Sequence, residues 1–344
     1  MKENPRGRQE PFLDRGKTLF ARTCAGIALQ CALLCSVAVA GQTPSTHAAI
    51  PAGRELIDEA GRKVQVPNEV NRIVSLAPNL TEIVFALGDG NRLAGDTDYC
   101  DYPPEATQKP RVGGPVNPNL EEIAALMPDL VLATKSINQP RTVKALDKIG
   151  LPVYVTEDPH TVEEMIASME HLAGALGSEK SAAVLAGELR GRLTDLDRRL
   201  AGAMPRRVLF VVWSEPLISV GRDTFIADAL RRAGAHSVVE TKAVWPHMSL
   251  EEIVHQQPEF LVFASAHAGD TQREIDSLRT RPGWRNLQAM QQGNIVVVSD
   301  AINRPAPRMV DAIEQLAHAL HPEVFASPAA EFNSTVEEAC ACAR

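Results

Sequence analysis

Two runs of apolar strands, each interleaved with amphipathic helices, predict an α/β protein of two Rossmann-like lobes with parallel sheets. Three observations carry that expectation. Strand and helix patterns alternate from residue 72 to 176 and again from 207 to 320. A proline-free helical stretch of about 25 residues, from Ser178 to about Ala203, lies between them. Two segments 130 positions apart also repeat one another: Asn119-Leu-Glu-Glu-Ile123 running on to Pro128, and Ser249-Leu-Glu-Glu-Ile253 running on to Pro258. One copy of one long period means two similar lobes rather than a solenoid. A ligand cleft is expected between the lobes, because open parallel sheets bind ligands outside the carboxyl ends of their strands.

The elements follow in order. Residues 41–53 are small and polar and are expected to be a disordered lead-in; Glu55 to Pro67 reads as a hairpin turning at Ala60-Gly61. The N-terminal lobe (54–177) continues with a strand at Arg72–Ala77, a helix at Thr81–Leu87 and an edge strand at Leu93–Thr97. Strands at Asp129–Thr134 and Pro152–Thr156 alternate with helices at Arg141–Ile149 and Thr161–Leu176. The linking helix (178–204) carries leucines at 185, 189, 193, 196 and 200 at helical spacing and ends at Pro205. A helix makes a stiff hinge, so lobe closure should be small. In the C-terminal lobe (205–323), strands are expected at Arg207–Trp213, Glu259–Ala264 and Asn294–Ser299. Helices follow at Thr224–Ala233, Ser249–Gln256, Thr271–Arg279 and Ala306–Leu320, with residues 324–344 as a disordered tail.

Each repeated segment opens with a helix start. Asn119 or Ser249 stands at the N-cap and Glu122 or Glu252 at the third helical position, the pattern of a capping box. Glu121 and Glu251 are left without a local task, one carboxylate per lobe. Such a pair suits a two-fold symmetric, basic partner. The competing reading is two solvated helix-start acids that merely favour the helix dipole.

Arg15, Lys17 and Arg22 precede an uncharged apolar run from Cys24 to Ala40 that ends in Ala38-Val-Ala40. That is the pattern of a secretory signal peptide (1–40), so the protein is expected to be exported. The leader holds six Lys/Arg against three Asp/Glu, a net of +3, so the whole-chain charge of −8 leaves the remainder at −11. An acidic exported chain is a poor partner for nucleic acid or anionic membranes. Of six cysteines, three lie in the leader, Cys100 stands alone, and Cys340 and Cys342 sit in the tail; this is no disulfide framework.

Catalytic signatures are absent: there is no G-x-G-x-x-G after a strand, no P-loop, no H-E-x-x-H and no G-x-S-x-G elbow. No histidine pair has ligand spacing, so no metal site is expected, and His318 with His321 reads as a helix-end dipole contact. No cofactor is implied. The strand-end loops supply the candidate ligand residues instead. In the first lobe these are Pro78 and Asn79, then Asp98, Tyr99 and Tyr102, then Thr134 and Lys135. In the second they are Trp213, Ser214 and Glu215, then Trp245, Pro246 and His247, then Asn303 and Arg304. Aromatic residues are only 4% of the chain, so two of its three tryptophans in such loops point to binding. Trp284 reads as packing. Arg304 is the better candidate for a ligand's carboxylate or phosphate, since Arg308 has Asp311 as a near partner.

These residues also resemble a known family. Arg72-Ile-Val-Ser-Leu-Ala-Pro-Asn-Leu-Thr-Glu82, Asp98-Tyr-Cys-Asp-Tyr-Pro-Pro104, Lys109-Pro-Arg-Val-Gly-Gly114 and the repeated Leu-Glu-Glu-Ile look like periplasmic solute-binding proteins of vitamin B12 and iron-siderophore ABC importers. Val244-Trp-Pro246 and Arg304-Pro-Ala-Pro-Arg308 are similar to that family's second lobe. The likeness runs from about Glu55 to Pro322, and the Asp-Tyr-x-Asp-Tyr-Pro and Trp-Pro segments look most like its cobalamin-binding branch. The resemblance implies a monomer that captures a corrinoid against Tyr99 and Trp245. It also implies docking through Glu121 and Glu251 onto arginines of a permease dimer carrying its ATPase subunits. Pro115 and Thr134 stand where strong corrinoid binders of the family carry large aromatics. A ferric siderophore or haem is the alternative ligand. A secreted two-domain α/β enzyme is the remote alternative, and Ser214 with Glu215, or Ser75, makes a poor nucleophile–base pair for it.

Overall fold

The computed structural model describes residues 53–326 apart from 266. The expected leader (1–40) lies outside the described residues, as do nearly all of the expected disordered segments 41–53 and 324–344. Two ends of those segments are folded. Gly53 opens the first strand, and Pro322–Phe325 forms a short helix in which Phe325 stacks on His318 at 3.8 Å. An apolar ring with a partner this close stays with the body of the protein.

The N-terminal lobe begins with β1 (Gly53–Ile57) and β2 (Lys63–Pro67), paired antiparallel around a turn where the Asp58 carboxylate accepts from the Arg62 backbone N–H at 2.7 Å. Then come β3 (Ile73–Ser75), α1 (Pro78–Ala86), β4 (Leu93–Gly95), α2 (Leu120–Ala125), β5 (Leu130–Thr134), α3 (Pro140–Lys148), β6 (Val153–Thr156) and α4 (Val162–Leu176). Strands β3 to β6 form one parallel sheet in the order β4-β3-β5-β6. The linking helix is α5 (Glu179–Leu200).

Beyond it lie β7 (Arg206–Val211), β8 (Trp213–Ser214), β9 (Leu217–Ile218), α6 (Phe225–Arg232), β10 (Ala235–Ser237) and α7 (Leu250–Gln256). The chain continues with β11 (Phe260–Ser265), α8 (Ala268–Thr280), α9 (Gln288–Gln292), β12 (Ile295–Ser299), α10 (Met309–Leu320) and α11 (Pro322–Phe325). The second sheet is also parallel, in the order β10-β7-β11-β12. Numbered within its own lobe, each sheet reads 2-1-3-4, so the repeat seen in the sequence is a repeat of topology.

The match extends to atoms that no sequence pattern announces. Met127 and Gln257, each just before the repeated proline, are the two non-glycine residues with positive φ (45° and 46°) among the described residues. The Arg72 guanidinium donates to the Leu126 carbonyl at 2.7 Å, and the Arg207 guanidinium donates to the Gln256 carbonyl at 2.6 Å. Helix ends leave carbonyls without intrahelical partners, and both lobes fill that need with an arginine at the start of β3 or β7, Arg72 just before β3 and Arg207 within β7. The expected capping box is not completed. Asn119 accepts from the Glu121 and Glu122 backbone N–H groups, but the Ser249 side chain makes no cap bond, and Glu252 accepts from Gln256 instead.

Strands β3, β5 and β6 are buried along their full length. On α5, Ala182, Ala186, Leu189, Leu193 and Leu196 form a buried stripe that joins the cores of both lobes in one apolar cluster. Moving the lobes apart would open that cluster, which is the physical reason to expect a stiff hinge. Trp284 is buried in the C-terminal lobe's separate core, as its sequence context suggested.

Candidate functional site

On the N-terminal lobe, Tyr99 projects from the loop after β4 and is 65% exposed. The loop is clipped from below. Arg111 Nη1 donates to Asp96 Oδ1 at 2.6 Å and to the carbonyls of Thr97 and Cys100 at 2.6 and 3.1 Å. Asp96 is fully buried and its Oδ2 has no partner. Burial therefore pushes its carboxyl up to about 7, against the pull of Arg111. Cys100 beside it is a buried free thiol, raised by the same desolvation, and the Thr81 hydroxyl donates to its sulfur at 3.2 Å.

Pro78 and Asn79 open α1 at the end of β3 and are half-buried. Thr134 is buried and donates to Asp158, and Lys135 pairs with Glu157, so neither is free for a ligand. The sequence reading missed Asn138. Its amide donates to the carbonyls of Leu76 and Pro115 at 3.0 and 2.8 Å and accepts from the Thr134 N–H at 2.7 Å, tying three strand-end loops together. Also missed are Val116 and Ile137, exposed aliphatics in those same loops. Their signal was an apolar residue inside a loop of prolines and polar residues.

On the C-terminal lobe the expected strand Arg207–Trp213 ends at Val211. Trp213 belongs instead to β8, which pairs with β9, and Ile218 of β9 bridges His247. This small ribbon brings the loops of Trp213 and Trp245 together, although they are far apart in sequence. Trp213 is 61% exposed with its indole N–H held by the Glu215 carbonyl at 2.7 Å, and Trp245 is 49% exposed. Val212 and Val244 extend the apolar surface. Ser214 donates to Glu274, and Glu215 pairs with Arg281. Gly221 lets the Trp245 segment lie close, since a Cβ there would fall 1.9 Å from the Ala243 carbonyl oxygen.

Arg304 is not free to face a ligand. It pairs with Glu82 (3.1 Å) and Asp101 across the lobe junction and with Asp300 (3.3 Å) in its own lobe. Arg308 pairs with Glu82 at 2.9 Å and with Asp300 at 3.4 Å, while Asp311, its expected partner, pairs with Arg192. The Tyr102 ring lies 4.0 Å from the Arg308 guanidinium carbon. Hydrogen bonding to Arg304 holds the Asp101 carboxyl below its usual range. A hollow of about 610 Å³ flanks this cluster on the side of α5, lined by Glu82, Tyr102, Glu188, Arg192 and Arg308 among others. None of Tyr99, Trp213 or Trp245 lines it.

Glu121 and Glu251 sit at matched positions of α2 and α7, both exposed and without an ion pair among the described residues. Each helix follows the second strand of its lobe's parallel sheet and leads into the third, so both carboxylates stand toward the carboxyl edge of their sheets. No group of three His, Cys, Asp or Glu among the described residues is placed to hold a metal ion. No helix among them is long and apolar enough to cross a membrane.

Two parallel-sheet lobes joined by one long helix, with exposed aromatics on their strand-end loops, make the architecture of a two-lobed solute-binding protein. The profile of the periplasmic binding protein family matches residues 73–301, and the chain belongs to that family, the solute-binding component of ABC importers. It is therefore not an enzyme, and what it holds is a transported solute rather than a resident cofactor. It is 30% identical over 253 residues to the vitamin B12-binding protein of Vibrio cholerae serotype O1, covering 73% of this chain and 89% of that one. Among solved structures, the periplasmic vitamin B12 binding protein BtuF of Vibrio cholerae superposes with a TM-score of 0.64 at 28% identity, over 75% of this chain and 99% of that one. The periplasmic heme-binding protein RhuT from Roseiflexus sp. RS-1 superposes with a TM-score of 0.65 at 26% identity, over 74% and 99%.

Proposed function

We propose that this protein captures a corrinoid between its lobes and delivers it to an importer in the membrane. The observation that supports this most is the exposure of three aromatics on strand-end loops: Tyr99 from one lobe and Trp213 and Trp245 from the other are all about half exposed or more. Exposed aromatics fixed on pinned loops suit a broad, flat ligand, because a preformed surface loses little entropy on binding. The likeness to vitamin B12-binding proteins supports the same reading. The basic and apolar leader, together with the compartment of the relatives, supports export to the periplasm. The protein works as a single copy, since one chain supplies both walls of the cleft. Glu121 and Glu251 are the docking contacts, one per lobe, for basic residues of a two-fold permease; their free carboxylates and matched places in the duplicated fold support that role.

The test is a calorimetric titration of the purified protein with cyanocobalamin. A one-to-one complex is expected, with quenching of tryptophan fluorescence that Trp245→Ala diminishes. The same titration with haemin and a ferric siderophore separates the alternatives: tight binding of either, with none of cyanocobalamin, replaces the corrinoid reading.

A further inference from the structure

Arg304 and Arg308 reach toward the lobe junction from the segment between β12 and α10, and three carboxylates meet them. Glu82 is 3% exposed at its side chain and accepts from both arginines, at 3.1 Å from Arg304 and at 2.9 and 3.1 Å from Arg308. Asp101, two residues from Tyr99, takes both terminal nitrogens of Arg304 in a forked pair, and Asp300 touches both arginines. Two positive and three negative charges leave the cluster at −1. The cationic residues that a carboxylate-bearing ligand would seek are already spent.

We infer that this cluster is a charge filter: the cleft selects macrocycles whose rim is amide or otherwise uncharged, and disfavours those with free carboxylates. The inference rests on the corrinoid-class cleft proposed above and adds the charge of the ligand it takes. To engage Arg304, an incoming carboxylate must displace Asp101 and loosen Glu82. That would leave a nearly fully buried anion short of partners, and such an anion is strongly disfavoured. An amide has no such conflict. It can donate its N–H to Asp101, whose side chain is 58% exposed, while the arginine pairs stay intact.

The experiment compares two forms of one macrocycle, dicyanocobyrinic acid and its heptamethyl ester, by titration of the full protein. The ester is expected to bind at least about tenfold more tightly than the acid. Asp101→Asn should narrow that ratio several-fold by freeing one side of Arg304. Glu179→Gln, which removes an equal charge from the exposed start of α5, should leave it unchanged. Asp101 is exposed enough for the variant to fold, and its near-ultraviolet circular dichroism checks this. Acid binding as tightly as ester, or Glu179→Gln narrowing the ratio as much as Asp101→Asn, overturns the filter. If neither corrin binds, the corrinoid reading fails by itself, and haemin against its dimethyl ester carries the same contrast, with equal binding of the diacid again overturning the filter. If none of the four binds, the cleft is no macrocycle site and the filter falls with it.

Discussion

Asp96 shows how one buried residue governs a binding loop. Its carboxyl, three residues before Tyr99, is clipped by Arg111, and burial raises it to about 7. At pH values below the ordinary carboxylate range, the folded and unfolded chains both hold this proton, and its stabilising contribution is fully present. As pH rises, the unfolded chain ionises first; the contribution fades and is lost through pH 7. Asp96→Asn should therefore flatten the fall in unfolding free energy between pH 5 and 7 by about 2 kcal/mol, measured by urea denaturation. An unchanged slope would mean that Arg111 already holds the carboxylate ionised. Tyr99 and Trp245 were legible as candidates because aromatics in strand-end loops stand out in an aromatic-poor chain. Asn138 and Glu82 were not, because their partners lie in other loops or, for Glu82, more than 200 positions away.

At the scale of elements, the strongest effect is expected where two backbone segments touch. Gly221 donates its N–H to the Val244 carbonyl at 3.2 Å, and an added methyl carbon would collide with the Ala243 carbonyl. Gly221→Ala should lift the Trp245 segment off β9, weakening ligand binding about tenfold or more while the lobes stay folded. Ligand titration with a far-ultraviolet spectrum of the variant checks this, and wild-type affinity would show that the segment relaxes freely. The ribbon of β8 and β9 had no sequence signal, since strands of two residues are too short for an alternating pattern. The long helix and the buried strands were legible because each repeats its apolar period over several turns or pairs.

For the whole molecule, duplication is the organising fact. Two sheets of the same order, two left-handed residues before matched prolines and two arginine clamps put Glu121 and Glu251 at equivalent positions of the two lobes. The double variant Glu121→Ala/Glu251→Ala should lose most delivery to the permease, measured as uptake into proteoliposomes, while ligand affinity is unchanged. Each single variant should lose less, and raised salt should mimic the loss, because exposed ion pairs are screened. Full uptake by the double variant would remove the docking role. The apolar stripe of α5 couples both cores, so closure on ligand should be a small rotation.

Residue type and period alone determined two α/β lobes, the long linking helix, a duplicated helix start and the presence of aromatics in strand-end loops, because those features arise from local patterns and from one long repeat. Tertiary structure decided the rest. It paired Arg304 and Arg308 with a carboxylate of the opposite lobe, buried Asp96 against Arg111 and gathered the two tryptophan loops on one ribbon. Electrostatic pairing and burial depend on distances in space, and a chain read in one dimension carries no record of which distant residues will meet.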